Sequence, residues 1–119
     1  MTIEELVRFA ESQALNATVV EQACIKEKLS LQELYTAFAR DVAEKYAKGV
    51  YSWSYCDAAM NRLFAYAYPV TDTGLPEFAW KVYIAFDEGE YFHPGDPKDF
   101  DPESRTKALL AEISERNSR

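Results

Sequence analysis

Carboxylates are the most frequent reactive groups in the segment 87–101. The segment holds six acids and the single histidine of the chain, namely Asp87, Glu88, Glu90, His93, Asp96, Asp99 and Asp101. Carboxylates are hard oxygen ligands that suit calcium or magnesium, but the spacing here differs from that of the calcium-binding EF-hand loop. We therefore predict a solvated acidic loop with no metal and no cofactor. A divalent cation site and a docking surface for a basic partner are the alternatives.

Glu90 and His93 have the three-residue spacing that is used in carboxylate-bridged di-iron sites. Such a site needs two pairs of this kind and two further glutamates on facing helices. This chain has one histidine, and Gly89 and Pro94 flank the Glu90–His93 pair. The spacing alone therefore does not indicate a di-iron centre.

His93 is also the candidate for acid–base catalysis. A histidine base needs an orienting carboxylate and a nucleophile within hydrogen-bond distance. Glu90 or Asp96 provides the carboxylate, but the sequence has no nucleophile elbow and no phosphate-binding glycine loop. We predict a protein that is not an enzyme, and keep a small enzyme that uses His93 with a nearby carboxylate as the alternative.

Aromatic and hydroxyl residues alternate along the segment 51–55. Its rings either pack as a hydrophobic staple at a helix start or form an exposed recognition patch, because Tyr and Trp are enriched in interface hot spots. With the acidic loop they give the predicted binding residues, which are Trp53, Tyr55, Asp87, Glu88, Glu90, Tyr91, His93, Asp96, Asp99 and Asp101.

The net charge of −7 is concentrated in one part of the chain. Segment 72–103 has nine acids and two bases, and the acids and bases of the rest cancel. This balance argues against nucleic acid as a partner, because binding to phosphates needs a basic surface. We predict an acidic protein-binding module that docks a basic protein, as an immunity or inhibitor protein does. A subunit of a homodimer or larger homo-oligomer is a further alternative.

A chain of 119 residues with 48% apolar residues is expected to form one globular domain over residues 1–119. No apolar run is long enough to span a membrane, and no signal-peptide pattern follows Met1. Cys24 and Cys56 are expected to be reduced thiols, although a disulfide between them is not excluded by the sequence. The expected location is the cytoplasm.

Apolar periodicity and capping residues predict an all-α fold, either a compact single-domain bundle or an orthogonal array of about six helices. Capping-box pairs begin the first and third helices, and Asn16 begins the second. Ser54 and Pro69 are expected to bound the fourth helix, and Pro76 to lie in the first turn of the fifth. The predicted ranges are 3–14, 17–28, 31–48, 54–68, 76–88 and a last helix from 102 to about 116.

Two aromatic helices, 54–68 and 76–88, are expected to form the centre of the core. For 77–88 a helix is favoured over a strand, because a lone strand would leave its backbone groups without partners. If Trp80 and Phe86 are buried, replacing either with Ala should cost about 3–5 kcal/mol. Ala14, Ala108, Leu109 and Ile113 are expected to face inward. Segment 69–75 is expected to be a loop, and residues 117–119 to fray.

Overall fold

A computed structural model of the chain describes residues 1–70 and 74–117. Within them it contains six α-helices and no strand, which confirms the all-α prediction. The helices are α1 (Ile3–Ser12), α2 (Ala17–Glu27), α3 (Leu31–Ala47), α4 (Trp53–Val70), α5 (Glu77–Asp87) and α6 (Glu103–Asn117). No helix in the described ranges is long and apolar enough to cross a membrane.

Side chains cap the helix starts as the sequence predicts. The Thr2 hydroxyl accepts a hydrogen bond from the Glu5 N–H, and the Glu5 carboxylate accepts one from the Thr2 N–H. The same reciprocal pair joins Ser30 and Glu33 at α3. These pairs occupy backbone donors that an α-helix leaves without partners in its first turn.

The bounds predicted for α4 are wrong at both ends. The helix is capped by Ser52, whose hydroxyl accepts the Tyr55 N–H at 3.2 Å, and not by Ser54. Pro69 does not stop the helix but lies in its last turn, where the lost N–H removes only one bond. Pro76 precedes α5 instead of lying in its first turn. The predicted loop is thereby shortened, and its residues 71–73 lie outside the described part of the chain.

The central helix of the hydrophobic core is α3, and buried residues of α1, α4 and α5 pack around it, which corrects the prediction that the two aromatic helices form the centre. Tyr35 and Phe38 of α3 are fully buried, and so is Phe86 of α5, whereas Trp80 is 43% exposed. α3 packs against α1, α2, α4 and α5, which makes it the central helix. The prediction was wrong because the number of aromatic residues in a helix indicates how much apolar surface it has, but not which side of the helix faces the core.

Ala14 and Ala108 are also exposed, contrary to the prediction. Ala14 lies beyond α1, which ends at Ser12. In α6 the fully buried residue is Thr106, whose hydroxyl donates to the Ala85 carbonyl and accepts from Trp53 Nε1 at 3.0 Å. α6 is thus attached through a polar contact. The predicted fraying at 117–119 falls on Asn117, the last residue of α6, and on two residues outside the described ranges.

α4 and α5 pack against each other in opposite directions. Phe64, in the middle of α4, stacks on Tyr83 of α5 with ring centroids 4.4 Å apart. Asp57, near the start of α4, lies close to Asp87 at the end of α5. Residues of the first turns of α4 are therefore brought beside the segment that follows α5.

Candidate functional site

Three carboxylates meet where the start of α4 lies beside the end of α5. We call Asp57, Asp87 and Glu90 the acid cluster. Asn61, one turn after Asp57, donates from Nδ2 to Asp57 Oδ2 at 3.4 Å and to Glu90 Oε2 at 3.2 Å. One amide thus holds two carboxyl groups together across two elements.

The acid cluster stores electrostatic repulsion. Burial, and then the neighbouring Glu90 and Asp87, raise the pKa of Asp57 to about 8. Burial and the charges of Glu90 and Glu88 raise the pKa of Asp87 as well. Asp57 Oδ1 is buried and has no hydrogen-bond partner among the described residues. In its protonated form the Asp57 carboxyl bonds to Glu90, and this bond also raises the pKa of Asp57. A cation placed here would relieve the repulsion between the ionised forms of these groups.

No Lys or Arg in the described ranges forms an ion pair with the acid cluster. Other acids of segment 72–103 do have such partners. Asp96 lies 2.7 Å from Arg105, Glu77 lies 2.9 Å from Lys81, and Glu103 lies 3.6 Å from Lys107. Glu88, Asp99 and Asp101 also form no ion pair with a described Lys or Arg, so the acid cluster is distinguished by the closeness of its three carboxyl groups and by the burial of Asp57 and Asp87.

A row of aromatic rings continues from the acid cluster along the same two helices. Besides stacking on Tyr83, Phe64 lies 5.2 Å from Tyr68 and 6.0 Å from Trp80 between ring centroids. Tyr68 is 66% exposed and Trp80 is 43% exposed. Burial first, and then Asp87, Glu90 and Asp57, raise the pKa of Tyr83, which shows that its hydroxyl lies near the acids.

The acids and rings form one surface because of their helical spacing. Asp57, Asn61, Phe64 and Tyr68 follow one another at intervals of three or four residues in α4. Trp80, Tyr83 and Asp87 do the same in α5. We call this surface, acid cluster and ring row together, the α4–α5 face.

His93 lies in a separate, smaller group. Its Nε2 is 3.0 Å from Glu88 Oε2, and its ring stacks on Tyr91 at 4.7 Å. The predicted turn is present, since the Asp96 N–H donates to the His93 carbonyl and Gly95 has φ +92°. No serine, threonine or cysteine in the described ranges hydrogen-bonds to the imidazole, so the arrangement contains an orienting acid but no attached nucleophile.

The remaining acids of the predicted site fix the loop to α6. Asp96 accepts from Arg105 and from the His93 N–H, and these bonds lower its pKa. Asp101 Oδ1 accepts the Glu103 N–H at 3.1 Å, as expected of a helix cap. Asp99 is exposed. Asp96 and Asp101 thus have structural roles, because their hydrogen bonds hold the loop and the start of α6 in place.

Trp53 and Tyr55 are both partly buried against the core. The Trp53 indole donates to Thr106 and lies under Gly89, where a Cβ would meet Thr106 Oγ1 and, at 3.1 Å, Trp53 Nε1. Tyr55 lies against Tyr51, with ring centroids 4.6 Å apart, in a groove that also contains Arg8. The geometry is that of rings packed at a helix start, and the two rings point to different neighbours.

Sequence reasoning brought Asp87 and Glu90 into the site but missed Asp57 and Asn61. A signal was present, because both residues share a helical face with Phe64 and Tyr68. An antiparallel α4–α5 pair with a short connection also requires residue 57 to lie near residues 87–90. The acids of segment 87–101 stand out because they are close together along the chain, whereas Asp57 and Asn61 belong to the neighbouring helix α4.

No group of His, Cys, Asp and Glu side chains in 1–70 and 74–117 is arranged to hold a metal ion. Cys24 and Cys56 are both free thiols. The chain matches no protein-family model, no curated protein and no solved structure. Function is therefore argued from the α4–α5 face alone.

Proposed function

We propose that this protein is a non-enzymatic, acidic protein-binding module whose α4–α5 face docks a basic partner protein. The observation that carries the proposal is the acid cluster, in which Asp57, Asp87 and Glu90 lie together without a Lys or Arg ion-pair partner in the described ranges. Like charges held this close destabilise the free protein, and a cationic side chain from a partner removes that cost.

The ring row supports the same proposal. Among the described residues, two of the large, exposed hydrophobic side chains belong to the ring row, namely Tyr68 and Trp80. Aromatic side chains offer large apolar contact area and attract cations to their faces. The acid cluster would receive a Lys or Arg of the partner, and the ring row would receive its apolar side chains.

The free thiols support a reducing compartment such as the cytoplasm. An immunity or inhibitor protein, which neutralises a basic target by covering it, is the biological role that fits this chemistry. Acidic charge speeds the encounter with such a target, and desolvated contacts at the centre hold the complex.

Affinity capture from a lysate of the native host tests the proposal with three forms of the protein. These are the wild type, the acid-cluster variant D57N/D87N/E90Q, and the control variant E11Q/E21Q/E44Q. Both variants replace three carboxyl groups with amides, but the control changes side chains on α1, α2 and α3. Because Asp57 has a pKa of about 8, the acid-cluster variant removes no more negative charge than the control. Any difference between them therefore reflects position and not net charge.

We expect the wild type and the control variant to retain a common basic protein, and the acid-cluster variant to lose it. Retention should fall as salt approaches about 1 M, where the Debye length is near 3 Å. If all three forms capture the same protein equally, or if capture persists at about 1 M salt, the α4–α5 face does not dock its partner by charge.

A further inference from the structure

A groove on the opposite side of α5 from the ring row is unrelated to the proposed function. It has a volume of about 650 Å³ and lies between α3, α5 and α6. The floor includes Phe78 and the fully buried Val82. Its volume is within the range of about 300–1,000 Å³ that is usual for small-molecule sites.

The groove exists because small side chains line its walls and one end is closed. Ala43 of α3 faces the groove on one side, and Ala111 of α6 faces it on the other. At the closed end the Tyr46 hydroxyl donates to Glu103 Oε2 at 2.8 Å, which ties α3 to α6. Phe78 lies near the opposite end, one turn before Val82, so the groove extends along α5.

Arg40 gives this apolar groove a cationic rim. Its guanidinium carbon lies 5.5 Å from the centroid of the Phe78 ring, and it forms no ion pair with an acid in the described ranges. Lys107 also lines the groove but is 3.6 Å from Glu103. Glu44, one turn further along α3, also lines the groove and adds one acid to its rim. Arg40 is the basic lining residue without an ion pair in the described ranges, and a guanidinium suits a carboxylate in two-point contact.

We propose that this groove binds an amphiphile with an aliphatic chain and an anionic head, such as a fatty acid. The chain lies over Phe78 and Val82 between the alanine walls, and the carboxylate pairs with Arg40. The volume suits a small molecule, and the Arg40 guanidinium beside Phe78 supplies a charge complementary to the anionic head.

The test titrates the full chain with decanoate, below its micelle concentration, and with 1-decanol, by isothermal titration calorimetry. Ala111→Leu fills the groove, and Ala108→Leu is its control because Ala108 is an equally exposed alanine of α6 that does not line it. Arg40→Gln removes the rim charge, and Arg8→Gln is its control on α1.

We expect saturable 1:1 binding of decanoate, weakened about tenfold by Ala111→Leu and by Arg40→Gln and unchanged in both controls. Arg40→Gln should leave the affinity for 1-decanol unchanged. The proposal is overturned if decanoate binding does not saturate or if Ala111→Leu binds like the wild type. It is also overturned if Arg40→Gln weakens both ligands equally. Self-association that Ala111→Leu abolishes, without decanoate binding, would assign the groove to a second copy of the chain.

Discussion

At the scale of single residues, Asp57 distinguishes this surface from an ordinary acidic patch. Most surface carboxylates are hydrated and cost the fold nothing. Asp57 is partly buried, one of its oxygens lacks a partner in the described ranges, and Glu90 and Asp87 are its neighbours. The environment of Asp57 is therefore unusual for a surface carboxylate, and the proposed docking of a cationic side chain would account for it.

The pH dependence of stability should reveal Asp57. Its pKa is raised from the ordinary value near 4 to about 8, so the folded protein holds a proton that the unfolded chain releases. Stability from this group is complete below about pH 4 and is lost as pH rises through about 8. We expect the wild type to lose stability between about pH 4 and 8, and Asp57→Asn to lose less. Urea unfolding at several pH values measures this.

If the free energy of unfolding of Asp57→Asn changes with pH in parallel with that of the wild type, the environment described for Asp57 is contradicted. Asp99→Asn is a suitable control, since Asp99 is exposed. That variant should follow the wild-type profile throughout.

At the scale of elements, the sequence predicted which helices form better than it predicted which faces they bury. Capping pairs are local, so Thr2–Glu5 and Ser30–Glu33 could be read directly from their spacing. The inward face of α5 could not be predicted from the sequence, because Trp80, Tyr83 and Phe86 are all aromatic. Only the packing of α5 against α3 places Phe86 in the core. Burial of Thr106 was likewise not foreseeable, since it depends on a hydrogen bond to another helix.

Replacing two aromatic residues of α5 tests that arrangement of faces. Phe86 is fully buried, so Phe86→Ala should cost about 3–5 kcal/mol of unfolding free energy. Trp80 is 43% exposed, so Trp80→Ala should cost only about 1 kcal/mol. Chemical denaturation of the two variants under one condition gives the comparison. Equal losses would mean that α5 is rotated relative to the orientation described.

The candidate site was predictable only in part for the same physical reason. Asp87 and Glu90 stood out because acids are dense around them in the sequence. Asp57 is the third member of the cluster, and the antiparallel packing of α4 on α5 brings it there from thirty residues away. Asp96 and Asp101 looked equivalent to them in sequence, yet Arg105 and the start of α6 occupy their oxygens.

At the scale of the whole molecule, the net charge of −7 is less informative than its placement. Within segment 72–103 several acids are balanced by Lys or Arg, and Asp72 lies outside the described residues. Among the described residues, the acid cluster is the part in which carboxyl groups without a Lys or Arg partner lie beside one another, and burial raises the pKa of two of them, at one end of an aromatic row. Electrostatic attraction over a distance and apolar contact at close range are thereby combined on one side of the helix pair.

The most direct test of the acid cluster uses a synthetic amphipathic helical peptide with lysines at one end and leucines along its apolar face. Its dissociation constant is measured by calorimetry at low ionic strength for the wild type, D57N/D87N/E90Q and E11Q/E21Q/E44Q. We predict that the first variant binds at least about tenfold more weakly than wild type, and the second within about twofold, although the first removes no more negative charge than the second. If both variants bind the peptide equally weakly, or if neither binds it more weakly than the wild type, the proposal that Asp57, Asp87 and Glu90 receive the cationic side chain is contradicted.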